Sequence, residues 1–157
     1  MERYPVTAEG FARMEVELKE LKTVERPAVI KAIGEAREHG DLKENAEYHA
    51  AREKQGFIEA RLKDLEARIS RAEVVDVKAL TGNTVKFGAT VTLADEDTDA
   101  EVTYQIVGEY EADLKINKIS CTAPIARALM GKELGDTVEV PAPKGAKRYE
   151  ILKVSFG

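Results

Sequence analysis

The stretch Ile58-Glu59-Ala60-Arg61-Leu62-Lys63-Asp64-Leu65-Glu66-Ala67-Arg68-Ile69-Ser70-Arg71-Ala72 carries apolar residues at Ile58, Leu62, Leu65, Ile69 and Ala72, spaced 4, 3, 4 and 3. That spacing lays a narrow apolar seam along an α-helix with charge on every other side, the pattern of a two-stranded coil. A matching seam lies upstream, where Thr7 is a fitting N-cap and Phe11, Met14, Leu18 and Leu21 follow at spacings of 3, 4 and 3. Facing residues of an antiparallel hairpin have numbers with a constant sum. Phe11 with Ile69, Met14 with Leu65, Leu18 with Leu62 and Leu21 with Ile58 all sum to 79 or 80. Pro27 is expected to kink the first helix, because proline removes a helical hydrogen bond. Beyond it Ile30 and Ile33 are expected to resume the apolar face, opposite Ala51 and Tyr48. Gly40 marks the turn, and a second helix is expected from about Asp41. At ~1.5 Å per residue the arm would be roughly 45 Å long. A helical bundle folded onto the second half is the competing arrangement, and the narrow seams argue against it.

The second half changes period. Segments 84–87, 89–93, 102–107, 137–140 and 148–154 alternate or run β-branched, as strands do. Asp95-Glu96-Asp97-Thr98-Asp99 reads as an acidic turn, and 124–130 as a short helix with proline in its first turn. The expected fold is therefore α+β: an N-terminal antiparallel coiled-coil hairpin over residues 1–76, and over 80–157 an antiparallel sheet with one short helix.

Composition narrows the function classes. The chain has 157 residues, 34% of them charged, with no Trp and a net charge of −5. Residues 1–75 hold 14 basic against 16 acidic side chains, and 76–157 hold 10 against 13. Neither half suits a bulk binder of polyanions, since duplex binding depends on neutralising phosphates. No run reaches the ~18 apolar residues that span a membrane. The start, Met1-Glu2-Arg3-Tyr4-Pro5, lacks the apolar core of a signal peptide. Cys121 is the single cysteine and can form no internal disulfide, so a reducing cytoplasm is the expected location.

The turn of the hairpin is crowded with carboxylates. Asp41, Glu44 and Glu47 are three residues apart and would share one helical face. Carboxylate oxygens suit Mg²⁺, which takes one or two protein carboxylates and fills its remaining positions with water or phosphate. Such a tip is a poor free-standing site and a good half-site. Asp41-x-x-Glu44 is equally a capping-box pattern; spacing alone favours the cap, and both roles are compatible. His39 and His49 lack zinc-ligand spacing and read as surface residues. Lys54, Arg61 and Arg68 recur every seven residues, with Arg37 and Arg52 nearer the turn. They could guide a single RNA strand by phosphate contact, or simply pair with neighbouring glutamates.

The run Ala36-Arg37-Glu38-His39-Gly40-Asp41-Leu42-Lys43-Glu44-Asn45-Ala46-Glu47-Tyr48-His49-Ala50-Ala51-Arg52-Glu53 closely resembles the GreA type of the Gre transcript-cleavage factors. The resemblance continues through Phe87-Gly88-Ala89-Thr90-Val91, Ile106-Val107-Gly108, Ile119-Ser120 and Pro124 to Glu133, and so covers essentially the whole chain. It implies an FKBP-like C-terminal domain that docks at the rim of the secondary channel of bacterial RNA polymerase, while the coiled coil enters that channel. It implies that Asp41 and Glu44 act in trans, helping to hold the polymerase's second catalytic Mg²⁺ and its attacking water when the polymerase has backtracked. The polymerase would then cleave its own transcript near the RNA 3′ end. Arg37, Arg52, Lys54 and Arg61 become candidates for RNA or channel contact, and Ser120, Thr122, Pro124 and Ile125 for docking. Ala123 stands where the family favours serine, and an alanine cannot cap the short helix that follows. Cys121 reads as a packing residue.

The resemblance further implies a monomer that is not itself an enzyme, has no membrane association, and binds no cofactor tightly on its own, Mg²⁺ being shared with the polymerase. Two alternatives belong to other classes. A Gre-like channel regulator would inhibit the polymerase without cleavage; the intact Asp41/Glu44 pair argues against it. A prolyl isomerase would need an aromatic-lined pocket, for which 76–157 offer Phe87, Tyr104, Tyr110, Tyr149 and Phe156.

Overall fold

The computed structural model describes residues 2–40 and 45–157. It falls into two compact units: Phe11–Arg71, and a second made of Glu2–Gly10 with Ala72–Gly157. The first residues of the chain thus pack with the sheet, whereas the sequence pattern keeps 1–76 together.

The first unit is a two-helix hairpin. Helix α1 (Ala8–Glu20) runs through one π-helical turn (Leu21–Glu25) into α2 (Arg26–Arg37), and α3 (Ala46–Arg71) returns. Ile58, Leu62 and Leu65 on α3 are 6%, 2% and 0% exposed, and Leu18 and Leu21 pack on the cluster that Ile58 and Leu62 share with Val29. The seam inferred from spacing is therefore present through Leu21.

Beyond Leu21 the expectation holds for Ile33, which is buried, and needs a correction at Ile30. A heptad continued from Leu21 would bring Ala28, Ala32 and Glu35 to the seam. A π turn accommodates one extra residue, and the seam moves to Val29, Ile33 and Ala36, exposed by 3%, 6% and 3%. Ile30 is left 53% exposed and does not face Ala51 across a closed seam. Pro27 sits directly after the π turn, within a helical run continuous from α1, since Glu20, Glu25 and Arg26 all keep right-handed helical backbone.

Helix α3 stops at Arg71, so Ala72 does not extend its seam. Ala72–Val75 instead forms strand β2, paired in parallel with β1 (Tyr4–Thr7). A parallel pair needs a long crossover, and the hairpin provides it.

The rest of the second unit is a five-stranded sheet ordered β5-β4-β3-β7-β6, from β3 (Thr90–Asp95), β4 (Glu101–Val107), β5 (Lys118–Ser120), β6 (Thr137–Ala142) and β7 (Gly145–Ser155). It is antiparallel except for β4 with β5, which run parallel. The strand expected at 84–87 is reduced to a single bridge between Thr84 and Glu133. Val91, Leu93, Ile106, Ile119, Val138 and Ile151 form the core with Ala126 and Leu129 of α4 (Pro124–Leu129). In β7 the alternation slips: Thr92 pairs with Lys153 but Leu93 with Ile151, so Leu152 is a bulge residue and stays 39% exposed.

The start of α1 is tied into this unit. Thr7 caps the helix as the sequence suggests, its hydroxyl accepting the Gly10 N–H at 3.1 Å. Glu111 then closes over the cap: its carboxylate accepts the Thr7 N–H at 3.0 Å, the Gly108 N–H at 2.8 Å, and the Thr7 hydroxyl. Gly10 is glycine for this reason, since a Cβ there would run into the Glu111 carboxylate.

Candidate functional site

The turn of the hairpin is the site with most chemistry in the sequence. Asp41 and Glu44 lie outside the described residues, and the structure defines the two helix ends that flank them. Helix α2 closes with the Glu38 N–H on the Glu35 carbonyl at 3.2 Å and the His39 N–H on the Ala36 carbonyl at 3.1 Å. Gly40 follows with φ of +115°, a left-handed backbone suited to glycine at a helix end.

Helix α3 starts at Ala46, later than the spacing suggests, and its cap is Asn45. The Asn45 Oδ1 accepts the Tyr48 N–H at 3.0 Å, and the Asn45 carbonyl accepts the His49 N–H at 3.1 Å, the first bond of the helix. The same side chain donates its Nδ2–H to the Ala36 carbonyl of α2 at 2.6 Å. One partner is a donor and the other an acceptor, so only one amide orientation satisfies both. The sequence holds a signal for this cap, an Asn before an apolar-periodic run, but Asp41-x-x-Glu44 offers a stronger-looking one. Around the turn, the Arg37 guanidinium lies 5.9 Å from the centre of the Tyr48 ring. Tyr48 in turn meets His49 edge-to-face at 5.6 Å.

The basic residues nominated for RNA contact separate by position. Arg61 holds Glu17 on α1 through two parallel bonds of 2.8 Å, and reaches Asp64 at 3.1 Å. Its hydrogen bond to Glu17 raises the Arg61 pKa, and the same bond lowers that of Glu17 against a smaller opposing effect of burial. Arg26 makes the same fork with Glu59, at 2.8 and 2.9 Å. Lys54 approaches Glu25 at 3.8 Å. These pairs join α3 to the facing helix segments and hold the register of the hairpin. Nearer the turn, Arg52 donates to Gln55 within α3 at 3.2 Å, and Arg37 is exposed.

In the second unit, Ser120 ends β5, Thr122 lies in the short loop that follows, and Pro124 and Ile125 open α4. Ala123 caps α4 by position but contributes no side-chain bond. The Ser120 hydroxyl does the organising, accepting the Thr122 N–H at 3.1 Å and meeting the Thr122 hydroxyl at 2.7 Å. Thr122 and Pro124 are exposed and Ile125 is half-buried. Cys121 packs against the core, and burial pushes its thiol pKa up.

The sequence matches known proteins along its whole length. A profile described as "Transcription elongation factor, N-terminal" matches residues 4–74, and one described as "Transcription elongation factor, GreA/GreB, C-term" matches 80–156. The chain belongs to the GreA/GreB family of transcription elongation factors. It is 61% identical to the transcription elongation factor GreA of Rhodospirillum rubrum over 100% of both chains. It is 62% identical to that of Phenylobacterium zucineum and 63% to that of Hyphomonas neptunium, each over 99% of both chains. A solved GreA/GreB structure from Nitrosomonas europaea is 26% identical, covering 98% of this chain and 99% of that one, with a TM-score of 0.44. Among the described residues of this GreA/GreB-family chain, no helix is long and apolar enough to cross a membrane.

Proposed function

We propose that the protein stimulates the intrinsic transcript cleavage of bacterial RNA polymerase in backtracked complexes, with the hairpin entering the secondary channel and Asp41 and Glu44 working at the polymerase active site. The observation that supports the reading is the joining of the two helix ends that flank Asp41 and Glu44. Two helices held in register by the Glu17–Arg61 and Arg26–Glu59 forks end in a turn stapled by Asn45, and the Asp41/Glu44 pair lies between those ends in the chain. Helix α3 alone has 26 residues, about 39 Å at 1.5 Å per residue, a reach suited to an enclosed active site.

The donor chemistry fits the implied ion. Asp41 and Glu44 are both carboxylates, the oxygen ligands from which Mg²⁺ takes one or two while the rest come from elsewhere. A bound Mg²⁺ would supply an activated water as nucleophile for phosphodiester hydrolysis, as in two-metal sites. This chain's residues contribute charge and position: Asp41 and Glu44 as ligands, Arg37 and Arg52 as phosphate contacts beside the RNA 3′ end, and Ser120, Thr122, Pro124 and Ile125 as the docking face. In this reading Arg61 and Lys54 serve the hairpin first, through their glutamate partners, and RNA second. The protein is then a monomeric cytoplasmic accessory, with the catalytic centre belonging to the polymerase.

The isomerase alternative finds no support in the second unit. Tyr104, Tyr149 and Phe156 pack onto the core. A cleft there is lined by Thr7, Ala8, Glu9, Asp76, Val77, Lys78, Gln105 and Gly157, none of them aromatic. Stimulated cleavage of a stalled, backtracked complex, compared between the wild type and Asp41→Asn, tests the proposal.

A further inference from the structure

We propose that Asn45 is a positioning residue for Asp41 and Glu44, acting by joining the two helix ends that flank them in the chain; this rests on the function proposed above. The Asn45 side chain spans the two helices. Its Oδ1 takes an N–H of the first turn of α3, and its Nδ2–H binds a carbonyl of the last turn of α2, nine residues back in sequence. Neither end of the bridge is fully exposed: Ala36 is 3% exposed and Asn45 half-buried. Either bond alone would be ordinary. A helix cap needs only the oxygen, which Ser, Thr or Asp supplies as well. The second bond comes from a separate atom, the amide nitrogen, whereas Ser or Thr would have to cap and donate through one oxygen on a shorter side chain and Asp has no donor; it joins the two helix ends.

The consequence concerns the ten-residue segment from Ala36 to Asn45. A segment whose two flanking helix ends are joined has fewer arrangements open to it than one whose flanking ends can fray apart. Ligands lent to another protein's metal cluster must arrive within about half an ångström of a productive position. Joining the helix ends narrows the positions open to the two carboxylates before the protein meets the polymerase, and so reduces the ordering cost at that moment. Asn45 therefore acts through the turn, with no contact to RNA or metal required of it.

The test uses the full-length protein and separates the cap from the staple. Asn45→Ser keeps a neutral capping oxygen but loses the amide donor. Asn45→Asp keeps the size and the cap, loses the donor and adds a charge. Two readouts are needed. In the free protein, amide hydrogen exchange by NMR should show Glu38 and His39 exchanging roughly fivefold faster or more in both variants, the size expected for one net hydrogen bond. The Tyr48 amide should remain protected, because the cap survives. With a backtracked polymerase complex, both variants should lower the cleavage rate at saturating factor by a similar factor, leaving the half-saturating factor concentration unchanged. Asp41→Asn is run alongside. If Asn45→Ser matches the wild type in both exchange and maximal rate while Asp41→Asn is inactive, the positioning role is overturned and the parent reading stands. If Tyr48 also loses protection in Asn45→Ser, the residue is a plain cap and the staple is overturned. If the wild type gives no stimulation at all, the parent reading falls and takes this proposal with it.

Discussion

The Glu111 carboxylate accepts the backbone N–H of Thr7 at 3.0 Å across 104 positions of sequence, and in doing so builds the first turn of α1 into the sheet unit. Three donors converge on it: the Thr7 N–H, the Gly108 N–H and the Thr7 hydroxyl. Glu111→Ala leaves these donors unmatched in a partly buried place. It should cost about 1–3 kcal/mol, read as a lowered urea midpoint. Gly10→Ala should lose a similar amount, because the new Cβ displaces the same carboxylate. A midpoint unchanged in both variants would remove Glu111 from its anchoring role.

The π turn makes a prediction about phase. Val29 is 3% exposed and Ile30 is 53% exposed, although the uncorrected seam favours Ile30. Val29→Ala should destabilise the hairpin clearly, and Ile30→Ala should stay within about 0.5 kcal/mol. Leu65→Ala, from a fully buried position, should cost about 2–5 kcal/mol. Thermal or urea unfolding of the three variants checks the order.

The Glu17–Arg61 fork predicts a pH dependence. Arg61 lowers the Glu17 pKa in the folded protein. The stabilisation is therefore present above the unfolded carboxylate pKa and is lost as pH falls through the lowered folded value. Both side chains are about 40% exposed, so the coupling should be small, about 0.5–1 kcal/mol. A double-mutant cycle with Glu17→Gln and Arg61→Gln should find that coupling at pH 7 and none at a pH below the folded value.

Cys121 should be a slow nucleophile. Burial raises its thiol pKa, with smaller contributions from Glu109 and Glu111, and the thiolate is the reactive form. Alkylation in the native protein should be slower than for a free thiol at pH 8, and its rate should rise to a midpoint above the ordinary cysteine value. Denaturant should abolish the difference.

Much of this was legible in the sequence because apolar spacing is a strong signal. Leu18, Leu21, Ile58, Leu62 and Leu65 fixed both helices and their antiparallel register, and the Thr7 cap was readable from residue type. The shift at Leu21–Glu25 was not, since a π turn adds a residue without leaving a composition mark. Strand β1 leaves no local mark, because its four residues pair with a segment 68 positions away, and the bulge at Leu152 breaks the alternation by which a strand is recognised. At the turn, Asp41-x-x-Glu44 drew the cap away from Asn45, whose staple to Ala36 is a tertiary contact that no local pattern encodes. The carboxylate pair itself could be nominated from sequence, since its chemistry lies in residue type.

The central claim is that Asp41 supplies a metal-binding carboxylate to the polymerase, and one assay addresses it most directly. Transcript cleavage in a backtracked complex is measured with saturating wild-type protein and with Asp41→Asn. The substitution leaves the α3 cap at Asn45 untouched and removes only charge and metal affinity. The account predicts strong stimulation by the wild type and near-background cleavage with Asp41→Asn, which should still compete with wild type for the polymerase. Stimulation of equal strength by both proteins would contradict it.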